Sequence, residues 1–108
     1  MKKRAWGHWE VLCEGDGYKV KKIVVNPRKS LSYQRHQHRD EHWVVIGGKA
    51  MVEVKDSLSD RGFHLGKNES IDIPKITWHQ LGNDTKEPLE IIEVSTGDII
   101  NEEDIERK

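Results

Sequence analysis

The chain carries one cysteine, Cys13, so it forms no internal disulfide. That thiol is expected to be a small buried apolar residue of a strand. Long hydrophobic runs are missing too, and no segment is apolar for long enough to span a membrane. Met1-Lys2-Lys3-Arg4 is not followed by an apolar stretch, so no signal peptide is expected and the cytoplasm is the expected compartment. Excess charge of one sign is absent, with 18 Lys and Arg against 19 Asp and Glu. A nucleic-acid binder held by bulk positive charge is thereby disfavoured. At 108 residues there is room for one core, which excludes two-domain dinucleotide enzymes, large barrels and solenoids.

Apolar residues make up 34% of the chain and charged residues another 34%, a balance that leans towards disorder. Four tryptophans and the clusters Ile23-Val24-Val25, Val44-Val45-Ile46 and Ile91-Ile92 oppose that reading. Charge is uneven along the chain. Residues 1–40 hold ten Lys and Arg against four Asp and Glu, and residues 84–108 hold three against nine. Two solvated faces of opposite sign account for this without a ligand.

Short apolar segments separated by turn residues set a strand rhythm. Strands are predicted over 9–13, 18–25, 31–36, 42–46, 50–54, 63–65, 71–73, 78–81 and 89–94. Asp16-Gly17 and Gly47-Gly48 supply hairpin turns. The sole helix candidate is the acidic stretch Asn101–Arg107, with Asn101 as its cap. The expectation is a single all-β sandwich or barrel.

The chemistry gathers in Gln34-Arg35-His36-Gln37-His38-Arg39-Asp40-Glu41-His42-Trp43. Strand alternation puts Gln34, His36 and His38 on one face, with Glu41 following. Imidazoles plus one carboxylate suit a divalent Zn, Fe, Mn, Ni or Co ion with a position left open for substrate. Alternation alone does not choose between Gln34 and His38 as a ligand. His42 alternates with Glu41 and is expected to face away, while His8 and His64 stand outside the pattern.

The spacing resembles the first cupin motif, G-x5-H-x-H-x4-E-x6-G, laid over residues 28–48 with Arg28 for the first glycine and Gln34 for the first histidine. Within residues 66–83, Pro74, His79 and Asn83 fit the second motif, P-x-G-x2-H-x3-N, with Ile76 for glycine. The cupin resemblance implies a double-stranded β-helix over residues 1–108 and metal ligands Gln34, His36, Glu41 and His79. Further segments narrow it: Arg4-Ala5-Trp6-Gly7, Glu14-Gly15-Asp16, Leu31-Ser32-x-Gln34-x-His36-x-His38-Arg39-x-Glu41-His42-Trp43, and Glu103-Asp104-Ile105-x-Arg107. Together they resemble the cupin domain of type II mannose-6-phosphate isomerases, the C-terminal part of bifunctional enzymes that also hold a mannose-1-phosphate guanylyltransferase.

That resemblance implies metal-dependent interconversion of mannose 6-phosphate and fructose 6-phosphate. His38 is then expected as the proton-shuttling base and Arg39 as a phosphate-binding catalytic residue, with Lys19, Lys21, Arg4 and Arg107 as weaker phosphate candidates. Two alternatives stand beside it. One is a non-catalytic sugar-phosphate-binding module working with a separate nucleotidyltransferase. The other is a different cupin chemistry, such as an iron dioxygenase, which oxygen uptake with Fe(II) exposes. A homodimer is also expected, because Trp6 and Trp9 look surplus to one small core.

Overall fold

The computed structural model describes residues 1–108. Eleven strands form two antiparallel sheets: β1 (Lys2–Arg4), β2 (Gly7–Gly15), β3 (Tyr18–Val25), β4 (Gln34–Arg35), β5 (Arg39–Gly47), β6 (Ala50–Lys55), β7 (Asp60–Leu65), β8 (Ser70–Ile73), β9 (Trp78–Gly82), β10 (Leu89–Gly97) and β11 (Glu106–Arg107). One sheet runs β1-β2-β3-β10-β5-β8 and the other β11-β4-β9-β6-β7. They face each other as the two layers of a double-stranded β-helix.

Alternation divides the interior into two ends. Along β5 the inward row is Arg39, Glu41, Trp43 and Val45; along β10 it is Leu89, Ile91, Glu93 and Ser95. Register lines these rows up, with Glu93 between Lys21 of β3 and Trp43, and Ser95 beside Glu41. The apolar halves meet Val52, Val54 and Leu81 of the opposite sheet in one core cluster. The polar halves stack at the other end. One end therefore supplies the hydrophobic stabilisation and the other carries buried charge.

Several expectations are corrected. Residues 101–107 form no helix. Asn101 Oδ1 instead accepts the Glu103 N–H at 2.8 Å in a local turn, and the chain then pairs β11 with β4. The side chain competes for nearby backbone groups, as asparagine does in turns. Cys13 is exposed, because it lies in the outer half of β2, where Val11 to Gly15 are exposed on both faces of the strand. Trp6 and Trp9 pack against the core and remain half-buried.

The two glycine positions where this chain departs from the cupin motifs share one property. Arg28 has φ 64° and Ile76 has φ 67°, both left-handed, beside Gly48 at φ 80° where the motif is kept. Glycine takes this conformation without strain; a β-branched residue does not. Replacing the exposed Ile76 with glycine is expected to stabilise the protein by about 1 kcal/mol, strain relief outweighing the greater freedom of the unfolded chain. Chemical denaturation measures it, and a loss of similar size contradicts the strain argument.

Candidate metal centre

His36, Glu41 and His79 converge, with their ligating atoms all within 4.8 Å of one another and all three side chains buried. They arrive from three places: His36 from the bend after β4, Glu41 from the inward row of β5, and His79 from β9 in the opposite sheet. His36 Nε2 lies 3.0 Å from Glu41 Oε2, and His79 Nε2 lies 3.8 Å from Glu41 Oε1. The Nδ1 of His36 donates to the Asp104 carbonyl at 2.6 Å, and that of His79 to the Thr77 carbonyl at 3.0 Å. With both Nδ1 protons committed to carbonyls, each ring faces the carboxylate with Nε2, the nitrogen left to bind either a proton shared with Glu41 or an ion.

The buried Glu41 carboxylate draws positive charge to this point, from Arg39 and from whatever the two imidazoles bind at Nε2. Burial pushes His79 below its ordinary pKa, with Glu41 opposing only in part, so the ring favours its neutral, ligating form. Burial alone would raise Glu41; the hydrogen bond with His36 and the nearby His79 and Arg39 outweigh it and hold the carboxyl well below the usual range. Trp43 Nε1 donates to its other oxygen at 2.9 Å. Two imidazoles and an ionised carboxylate with fixed tautomers fit a divalent transition ion.

Arg39 also reaches this cluster. Its Nε and Nη2 each lie 3.0 Å from Glu41 Oε2, and Nη2 lies 3.3 Å from His36 Nε2. Burial would lower its pKa, but Glu41, Glu93 and Glu102 prevail and hold it above its ordinary value. Its Nη1 is buried with no hydrogen-bond partner.

Gln34 sits opposite His79 across β4 and β9, with Nε2 donating to Ser32 Oγ at 3.1 Å. It lines a small recess of about 20 Å³ together with Glu41, His79 and Glu93. The recess adjoins a cavity of about 280 Å³, whose walls include Lys21, Arg39, Glu93, Arg4 and Arg107. His38 does not join them. Residues 36–38 lie outside any strand, so the alternation that put His38 beside His36 breaks there and Arg39 takes the inward place. His38 is exposed, with Nδ1 3.9 Å from Asp98. His42 faces outward and pairs with Asp72. A cavity of about 330 Å³ on that outer face gathers no comparable cluster.

Glu93 escaped the sequence reading as a functional residue, and Lys21 was only a weak candidate. Each continues an inward row that is apolar at its other end, Ile23 and Val25 on β3 and Leu89 and Ile91 on β10, and a charge on such a row is the signal that finds them. Lys21 Nζ lies 4.0 Å from Glu93 and 4.3 Å from the centre of the Trp9 ring. Burial, and then the Glu41 charge, push the Glu93 carboxyl up to about 8.

Fold and buried histidine–carboxylate cluster together define a cupin with a candidate metal centre. Among solved structures, the oxalate decarboxylase of Lactobacillus farciminis matches with TM-score 0.84 at 19% identity, over 97% of this chain and 32% of that one. A Klebsiella pneumoniae protein with a double-stranded β-helix domain matches with TM-score 0.76 at 18% identity, over 90% and 75%. A family model described as mannose-6-phosphate isomerase C-terminal matches residues 2–108, and the chain belongs to that family. It is 44% identical over 104 residues to a mannose-1-phosphate guanylyltransferase of Escherichia coli and to an alginate biosynthesis protein of Pseudomonas aeruginosa. Each alignment covers 96% of this chain and 21% of the relative, so the chain spans about a fifth of the length of those relatives.

Two outcomes follow from the geometry. His36→Ala and His79→Ala each lower Zn(II) affinity by on the order of 100-fold or more, read by chelator competition. Arg39→Ala destabilises the metal-free protein by about 3–5 kcal/mol, because Glu41 is left as a buried charge without its guanidinium. Wild-type stability in Arg39→Ala, measured by denaturant titration, contradicts the pairing.

Proposed function

We propose that this chain is a metal-dependent aldose–ketose isomerase acting on mannose 6-phosphate and fructose 6-phosphate. The observation that carries it is the buried His36–Glu41–His79 cluster opening, past Glu93, into a cavity with cationic walls, in a chain of this family. His36, Glu41 and His79 would hold the ion, with the Gln34 amide as the proposed fourth protein ligand. A divalent ion supplies the positive charge that polarises the sugar carbonyl and stabilises the oxyanion formed as a proton leaves carbon.

The protein supplies the rest. Glu93, as carboxylate, takes the proton from C2 of the aldose and returns it to C1, while a proton moves from the C2 hydroxyl to the C1 oxygen; no atoms are gained or lost. A carboxyl displaced towards neutral pH suits both halves of this transfer. Lys21 steers the charge on Glu93, and the free Nη1 of Arg39 donates to a sugar oxygen. Arg4 and Arg107, at the cavity wall, hold the phosphate.

The test is conversion of mannose 6-phosphate to fructose 6-phosphate by the purified chain with Zn(II), Mn(II) or Co(II). Turnover that disappears with chelator and returns with metal is the expected result. Glu93→Gln should lower kcat by about 10²–10⁴ while retaining the metal. Arg4→Ala and Arg107→Ala should act mainly on KM. A metal-loaded chain that binds the sugar phosphate without converting it contradicts the isomerase reading and supports a binding module.

A further inference from the structure

The last eight residues pass beside the polar end of the barrel. They are fastened by the Glu106–Arg35 pair at 2.7 Å, by Glu102 to Lys21 at 2.6 Å, and by the Lys108 N–H to the Tyr33 carbonyl at 3.0 Å. The contacts at their centre are of another kind. Asp104 accepts the His36 Nδ1 proton on its main-chain oxygen at 2.6 Å. Its two carboxylate oxygens accept the N–H groups of Gln37 and His38, each at 2.9 Å. A single residue thus holds the imidazole of His36 and the two peptide groups that follow it.

From this we infer that Asp104 is a positioning residue of the metal centre, setting the orientation and tautomer of His36. The inference rests on the reading of His36, Glu41 and His79 as metal ligands. Residues 36–38 have no sheet pairing of their own to fix the ring. The carboxylate clamp holds the bend, and the bend together with the carbonyl holds the ring, leaving Nε2 as the ligating lone pair. An imidazole that donates through one nitrogen is the more basic ligand at the other, and losing such a partner typically weakens metal binding by about 10–100-fold. Asp104 touches no substrate and takes no proton in this role.

The experiment titrates Co(II) into the full chain against a competing chelator and records the visible absorption of the bound ion. Asp104→Ala is expected to weaken Co(II) binding by about 10–100-fold and to alter the absorption bands. Asp104→Asn keeps one acceptor oxygen and should fall between Asp104→Ala and wild type. Glu106→Gln loosens the same segment through Arg35 and the Gln37 side chain while leaving the Asp104 contacts to the His36 ring and to the backbone of the bend in place, and should leave affinity and spectrum unchanged. If Asp104→Ala fails to fold by circular dichroism, Asp104→Asn decides alone. Wild-type affinity and spectrum in the folded Asp104 variants overturn the inference. So does equal weakening in Glu106→Gln, because general loosening then explains it. A wild-type chain that binds no Co(II) overturns the underlying metal reading instead.

Discussion

The carboxylate of Glu41 is the group around which the polar end is organised. Burying an ionised carboxyl costs several kcal/mol unless charge and hydrogen bonds compensate. Here compensation comes from Arg39 two residues earlier on the same strand face, Trp43 two residues later, His36 before the strand, and His79 from the other sheet. None of these is sufficient alone, and together they tie the two sheets at a point where apolar packing is missing. The apolar end, with Val25, Val45, Val52 and Ile91 each at 0% exposure, offsets what that arrangement costs.

The same division explains how a small domain affords a reactive cavity. Were the inward rows apolar throughout, the interior would close; the change to Lys21, Glu93, Ser95 and Glu41 leaves space and supplies groups that can bind or move protons. Acidic residues near the C-terminus answer the basic N-terminal third, with Glu102 on Lys19 and Lys21 and Glu106 on Arg35. The charge asymmetry of the sequence is partly an internal pairing across the fold.

Strands were legible because β-branched runs and Asp-Gly or Gly-Gly turns mark them locally. The predicted strand 18–25 coincides with β3, and the hairpin turns fall where expected. His36, Glu41 and His79 were legible through motif spacing, since that spacing is fixed by strand lengths. The bend at 36–38 was not. Its residues alternate like a strand, and only the long-range clamp from Asp104 reveals otherwise. Residues 101–107 misled for a related reason, because their acids serve distant cations and backbone groups instead of a helix terminus. Glu93 and Lys21 needed the register between β3 and β10 before their shared face became evident.

The central claim is that the three buried acceptors form a metal centre. Anomalous X-ray diffraction from crystals of the Zn(II)-loaded chain tests it directly. One peak per chain is predicted, about 2.0–2.2 Å from His36 Nε2, His79 Nε2 and a Glu41 oxygen. Anomalous density confined to surface residues such as His42–Asp72 or His64–Asp84, with Arg39 still bridging Glu41 and His36, contradicts it.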